Sequence, residues 1–286
     1  ICVAQNFLTI FAGDPGTGKT SACDLFAQAL GLDQVQTDLG GDFPELSRYM
    51  PICVERGWNS KKDWIGSFSA LTGRFEESAT DLYKGLKILD MEKRENLSIF
   101  PFLVLLDDAN ISPLEYYFSD FLRLCDETDG GTVALGRGNT LRVPETLRFL
   151  ATVNADCTTE PLTERLIDRA MVIYMPAVSD SAPALKIPED VRKNIGFGTL
   201  RTLIPEDGQL YMSRESARIL DRVLNHMKKA GIRISPRALR AIRRYVSTAS
   251  AVMKGEPDGR LVSVIVADYA VAQKIFPKIS VKDMKD

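Results

Sequence analysis

The stretch Gly13-Asp14-Pro15-Gly16-Thr17-Gly18-Lys19-Thr20-Ser21 constrains this chain more than any other. Its first eight residues fit the spacing G-x-x-x-x-G-K-[ST]. An apolar run, Phe7–Ala12, precedes it, and apolar Ala22, Leu25, Phe26, Ala29 and Leu30 follow with a helical period. A strand that turns into a helix through glycines points backbone N–H groups at one spot. The helix N-terminus adds roughly half a positive charge there. The motif therefore predicts strand, phosphate-binding loop and helix, in that order. Gly13, Asp14, Pro15, Gly16, Thr17, Gly18 and Ser21 are expected to line the phosphates, Lys19 to reach the β- and γ-phosphates, and Thr20 to hold Mg²⁺.

Two more candidate strand ends carry polar groups suited to the same chemistry. Phe100–Leu106 is the most strand-like run, and it delivers Asp107 and Asp108 at its end. Asp107 is expected to hold Mg²⁺ through water, and Asp108 to activate the attacking water. Leu147–Val153 ends in Asn154, whose amide can orient that water or touch the γ-phosphate. Asn110 is either a further polar group near the site or a turn residue.

Pro51–Val54 and Met171–Met175 add strands, Thr80–Leu89 reads as a helix, and Thr132–Val143 reads as a hairpin around Gly136-Arg137-Gly138-Asn139. A helix is expected from Leu114, with Ser112 as N-cap, Pro113 at N1 and Glu115 at N3. Strands alternating with helices predict a three-layer αβα core with a parallel sheet over residues 1–178. Residues 179–205 lie in a stretch rich in Pro, Ser, Asp and Gly and read as a linker. Three amphipathic segments, Ser213–Lys229, Ser235–Met253 and Leu261–Lys274, predict a small all-α lid within 206–286.

Three arginines could reach phosphate. Arg165 and Arg169 stand four apart on an amphipathic turn, either as a solvated surface pair or as a finger for a neighbouring subunit's nucleotide. Arg237 follows Ser235-Pro236 at the opening of a lid helix, where a closing lid would bring it to a phosphate.

Composition narrows the alternatives. One histidine, His226, excludes a His-rich metal site and leaves little room for a His-dependent triad. His226 reads as an ordinary helix residue and Cys23 as a small buried one. The five cysteines are odd in number and form no C-x-x-C, which argues against a disulfide scaffold and for a reducing compartment. No apolar run approaches the ~18 residues of a membrane span. No signal-peptide pattern is present, so a cytoplasmic protein without a membrane partner is expected. The chain starts at Ile1 without Met and reads as a segment of something longer. Net charge is −2, but residues 206–286 carry +7 and residues 1–205 carry −9. That split suits a basic lid closing on an acidic core and an anionic nucleotide, and secondarily contact with nucleic acid. Asp38-Leu39-Gly40-Gly41 fits D-x-x-G, but no N-K-x-D follows, so it does not mark a Ras-type GTPase.

The ordered set of phosphate loop, Asp107-Asp108, Asn154, the arginine pair and Ser235-Pro236-Arg237 resembles the AAA+ ATPase superfamily. Trp58–Phe75, Asp107–Leu124, Val143–Ala170 and Asp268–Ile279 look like its McrB-type branch, the motor of modification-dependent restriction systems. The resemblance implies Asn154 as sensor 1, Arg237 as sensor 2 and Arg169 as the arginine finger, with Arg165 second. Trp58–Phe75 becomes an insertion near a pore, and Thr132–Val143 a hairpin touching substrate or partner. It implies ATP, or less favourably GTP, with Mg²⁺, and a ring homo-oligomer, most simply a hexamer. A partner nuclease or McrC-like subunit is implied, with nucleic acid met through domains outside this segment. The family usually has Asp-Glu where this chain has Asp107-Asp108, so slow hydrolysis is one expectation. A MoxR-like protein-remodelling ATPase and a weakly hydrolysing nucleotide-dependent scaffold are the alternative readings.

Overall fold

Five segments rich in Val, Ile, Leu and Phe form one parallel sheet. In the computed structural model they are β1 (Leu8–Gly13), β4 (Tyr49–Cys53), β7 (Phe102–Asp107), β10 (Leu147–Asn154) and β11 (Met171–Tyr174), in the order β11-β1-β10-β7-β4. The structure describes residues 1–33, 36–37, 46–127, 129–154, 159–177, 194–253 and 261–279. Every residue of β7 and β10 is buried except the last of each, Asp107 and Asn154. Strands covered on both faces need such continuous apolar runs. Gly13 pairs in register with Asn154, and Ala151 with Leu106. The polar ends of β1, β7 and β10 therefore lie side by side along one edge.

Helices cover both faces. They include α1 (Cys2–Gln5), α2 (Lys19–Ala29), α3 (Leu82–Glu95) and α6 (Glu164–Arg169). α3 runs past the expected Leu89 and stops at Asn96, which takes the left-handed conformation at φ 58. The long helix expected from Leu114 is instead two short ones, α4 (Leu114–Tyr117) and α5 (Ser119–Leu122), followed by a 3₁₀ turn at Leu124–Asp126. The Ser112 cap does not form. Its hydroxyl donates to the Glu55 carbonyl at 2.8 Å and accepts from the Gly57 N–H at 2.9 Å. Tertiary packing overrides the helical period here, because Tyr117, Phe118 and Phe121 all sink into an aromatic cluster around Trp64 and Phe149. Trp64 is fully buried and donates Nε1–H to the Tyr117 carbonyl at 3.1 Å.

A separate short antiparallel pair joins β2 (Gln36–Thr37) to β3 (Leu46–Ser47), and two hairpins stand beside the aromatic cluster. They are β5 (Gly66–Phe68) with β6 (Phe75–Glu77), and β8 (Gly131–Gly136) with β9 (Asn139–Val143), as Thr132–Val143 led us to expect. Gly66 sits at φ 122, and a Cβ there would fall 2.3 Å from the Glu76 carbonyl oxygen. Only glycine fits that approach.

Residues 178–193, most of the stretch read as a linker, lie outside the described residues. The end of that stretch forms α7 (Phe197–Arg201), with Phe197 and Leu200 buried against the β1–α2 side of the core. Beyond it come α8 (Arg214–Lys229), α9 (Pro236–Val252) and α10 (Val262–Lys274). Ser213 and Ser235 cap α8 and α9 through their hydroxyls, with Pro236 at the start of α9. These helices share a core with Met171, Ile173 and Cys2, so they dock on the β11 edge of the sheet. The fold is an α/β core with a helical C-terminal region. Among the described residues, no helix is long and apolar enough to cross a membrane.

Candidate functional site

The phosphate loop joins β1 to α2. Gly16 and Gly18 both take φ 80, and a Cβ at either would meet nothing within 4 Å. Among the described residues it is backbone conformation, not crowding, that demands glycine at these two positions. Gly18 is the N-cap residue of α2, and no side chain caps the helix. An uncapped N-terminus is the donor set an anion needs. Lys19 is buried and folds back, donating to the carbonyls of Gly13 at 3.0 Å and Asp14 at 2.8 Å. Thr17 Oγ1 donates to the Asp14 carbonyl at 3.0 Å. At Gly13 a Cβ would lie 2.5 Å from the Met175 carbonyl oxygen, so the chain beyond β11 closes on the loop's first residue.

A hydrogen-bonded chain links the start of α2 to the ends of β7 and β10. Thr20 Oγ1 donates to Asp107 Oδ1 at 2.8 Å, across 87 residues of sequence. Thr152 Oγ1 donates to the same oxygen at 2.6 Å and accepts from the Asp108 N–H at 2.9 Å. Asp108 leaves the strand in the left-handed conformation, φ 52, and Asn154 Nδ2 donates to its Oδ1 at 2.9 Å. A non-glycine residue held in that region costs on the order of 1–3 kcal/mol, and such residues cluster at functional sites. Asn110 is buried. Its Oδ1 accepts from the Asn154 N–H at 3.0 Å, and its Nδ2 donates to the carbonyls of Asn154 at 2.8 Å and Glu160 at 3.1 Å. It fastens the end of β10. Thr20 and Asp107 offer hard oxygen donors side by side, which suits Mg²⁺ completed by phosphate and water. Cys23 is buried beneath this edge, and burial pushes its thiol up to about 12, which disfavours the nucleophilic thiolate.

The structure thus brings together the loop residues Gly13–Ser21, Asp107, Asp108 and Asn154. It does not bring the arginines to them. Arg165 pairs with Glu115 at 3.1 Å, mostly exposed. Arg169 Nη2 lies 3.3 Å from Asp126, its Nη1 donates to the Arg165 carbonyl at 3.3 Å, and its Nε is buried without a partner among the described residues. Arg237 pairs with Asp168 at 2.9 Å and also with Asp126. All three groups, Arg169, Arg237 and Asp168, line a cavity of about 450 Å³ with Asn6, Glu145 and Arg148. Asn6 precedes β1, Glu145 precedes β10, and Arg169 precedes β11. The cavity therefore sits at the N-terminal edge of the sheet, and the phosphate loop at the other. The six residues of β1 between them span about 20 Å. The expectation that Arg237 joins the phosphate site of its own chain is not met, because α8–α10 dock on β11 and carry Ser235–Arg237 to the opposite edge.

Sequence reading passed over Thr152 and Asp168. Thr152 shares the strand period of Asn154, two residues away, and that was the available signal. Burial alone would raise the Asp168 carboxyl, but hydrogen bonds from Lys278, Ser235 and Arg237 override it and hold the group at about 2. A carboxylate so lowered stabilises the fold above its ordinary value near 3.9, and that stability is lost as pH falls through about 2. Thermal unfolding from pH 5 to pH 2 should show it. The gap between the parent chain and Asp168→Asn is expected to close as pH drops from about 4 to about 2. A gap that stays constant would contradict the assignment.

A family model described as a domain of unknown function, DUF8727, matches residues 199–285, the helical C-terminal region. No curated protein matches the chain. Among the solved structures that match is a 2.00 Å crystal structure from Cytophaga hutchinsonii described as a "putative ATPase". It is 17% identical, the match covers 87% of this chain and 71% of that one, and the TM-score is 0.47.

Proposed function

We propose that the chain is a nucleoside-triphosphatase of the AAA+ type, using ATP in preference to GTP with Mg²⁺. The hydrogen bond between Thr20 and Asp107 carries this reading. It places the helix that follows the phosphate loop and the acidic strand end at hydrogen-bond distance, with Asn154 and Asp108 beside them. In this reading the loop N–H groups and Lys19 hold the phosphates, and Lys19 exchanges its two carbonyl partners for phosphate oxygens. Bound Mg²⁺ would neutralise charge on the β- and γ-phosphates. Asp108 accepts a proton from the attacking water, and the Asn154 amide orients Asp108 and that water.

Arg169 and Arg237 stand about a strand's length from their own phosphate loop. They complete a site only if a second copy presents its loop to them. This supports a ring in which Arg169 serves the neighbour's nucleotide, as a hexamer of the McrB-type motor would arrange it. Work on nucleic acid, or activation of a partner nuclease, is the output the McrB-like segments support. The short Asp108 supports a second reading, a scaffold that binds nucleotide and barely hydrolyses it.

Phosphate release with Mg-ATP and with Mg-GTP tests the enzyme reading, with Lys19→Ala as the blank. The parent chain is expected to release phosphate, and Lys19→Ala to lose both turnover and nucleotide binding. Nucleotide binding without turnover, with or without DNA, would leave the scaffold reading in its place.

A further inference from the structure

α6, which ends in Arg169, is six residues long. A helix that short does not hold its own shape in water, and its last carbonyls have no partner inside it. What fixes it comes from the other end of the chain. Lys274, the last residue of α10, is 1% exposed, and its Nζ donates to the carbonyls of Ile167 at 3.3 Å, Asp168 at 2.9 Å and Ala170 at 2.5 Å. Three protons meet three acceptors, and the carbonyls on both sides of Arg169 are held. The ammonium also faces the negative end of the helix. The Asp168 carboxylate is gripped in turn by Ser235 Oγ at 2.6 Å, Arg237 Nη1 at 2.9 Å and Lys278 Nζ at 2.8 Å.

We propose that Lys274 and Asp168 are positioning residues for Arg169. Through them the C-terminal helices set where the guanidinium points, and a shift of those helices moves it. The proposal rests on the reading of Arg169 as a residue that acts on a neighbour's nucleotide. Among the described residues, the hydrogen bonds of Lys274 and the Asp168 side chain run to α6, Ser235, Arg237 and Lys278 and none to the loop after β1. Burial pulls the Lys274 ammonium down to about 8, and donating to three carbonyls at once takes all three protons of the charged form.

The test is a double-variant cycle on steady-state turnover, read beside nucleotide affinity. Lys274→Met keeps the length of the stem and removes the donors. It is expected to lower kcat about a hundredfold, as an ångström of misplacement does, with nucleotide affinity unchanged. In the Arg169→Ala background the same change should have almost no further effect, because there is no guanidinium left to misplace. Asp168→Asn should behave alike and serves if Lys274→Met fails to fold. Full, additive losses in the Arg169→Ala background would overturn the proposal, since a merely structural role would cost the same in both backgrounds. So would an unchanged kcat for both Lys274→Met and Asp168→Asn. If Arg169→Ala alone turns over like the parent chain, the finger reading itself has failed, and the proposal falls with it for that separate reason.

Discussion

Asp108→Asn is expected to bind nucleotide like the parent chain and to turn it over about 10²–10⁴-fold more slowly, the range a general base supplies. The substitution keeps the shape and the hydrogen bond from Asn154 Nδ2, so the strand ends should stay in place. What it removes is the capacity to take a proton. Under the proposed function the phosphate contacts fall to Gly13–Ser21 and the Thr20–Asp107 pair, in which Asp108 takes no part, so binding should survive. The side chain is one methylene shorter than the Glu usual in the resembled family. Asp108 leaves β7 in the left-handed conformation, and its N–H is tied to Thr152. That turn aims the carboxylate differently from a straight strand continuation. Asp108→Glu is therefore a useful companion, expected to retain turnover. Stopped turnover in Asp108→Asn with tight binding supports the base, and an unchanged rate removes it. A titration with a fluorescent nucleotide and a phosphate-release assay on the same samples provide both readouts.

The glycine turn between β1 and α2 was legible in the sequence because its geometry is local. Three glycines, a lysine and a hydroxyl within eight residues dictate a turn whatever surrounds it. β7 and β10 were legible because strands buried on both faces must be apolar throughout, whereas the edge strand β4 alternates buried and exposed residues and starts two residues before the Pro51 expected of it. The helix after Leu114 was not. Its period is genuine, but Tyr117, Phe118 and Phe121 gain more from the aromatic cluster around Trp64 than from a straight helix. Ser112 was lost as a cap for a related reason, since a loop 55 residues earlier in the chain claims its hydroxyl. Arg237 shows the limit most sharply. Local signals placed it correctly in the first turn of α9, with Ser235 capping. Which edge of the sheet that turn faces depends on how α10 docks on β11, and no short window of residues encodes this. The same holds for Lys274, which meets the carbonyls around Arg169 across more than a hundred residues of chain.

Arg169→Ala is expected to lower turnover by about 10³–10⁵-fold, the worth of an arginine finger in other phosphoryl-transfer enzymes. Nucleotide affinity should hardly move, since Arg169 stands at the edge of the sheet away from its own loop. Where the guanidinium acts is decided by mixing. A chain with Lys19→Ala has an intact Arg169 and no working loop, and a chain with Arg169→Ala has the reverse. Each alone should be nearly inactive. If the site is shared between copies, a mixed assembly contains junctions where an intact loop meets an intact Arg169, and turnover should return to a sizeable fraction of the parent rate. If Arg169 works within its own chain, no junction in the mixture is complete and the mixture should stay as inactive as its parts. Asp126 adds a condition. Its carboxylate holds Arg169 and Arg237 at once, so the guanidinium must leave Asp126 to meet a phosphate. If Arg169 is the finger, Asp126→Asn weakens that hold and should leave the recovery in the mixture intact, because Asp126 contacts Arg169 and Arg237 and no residue of the proposed reaction centre.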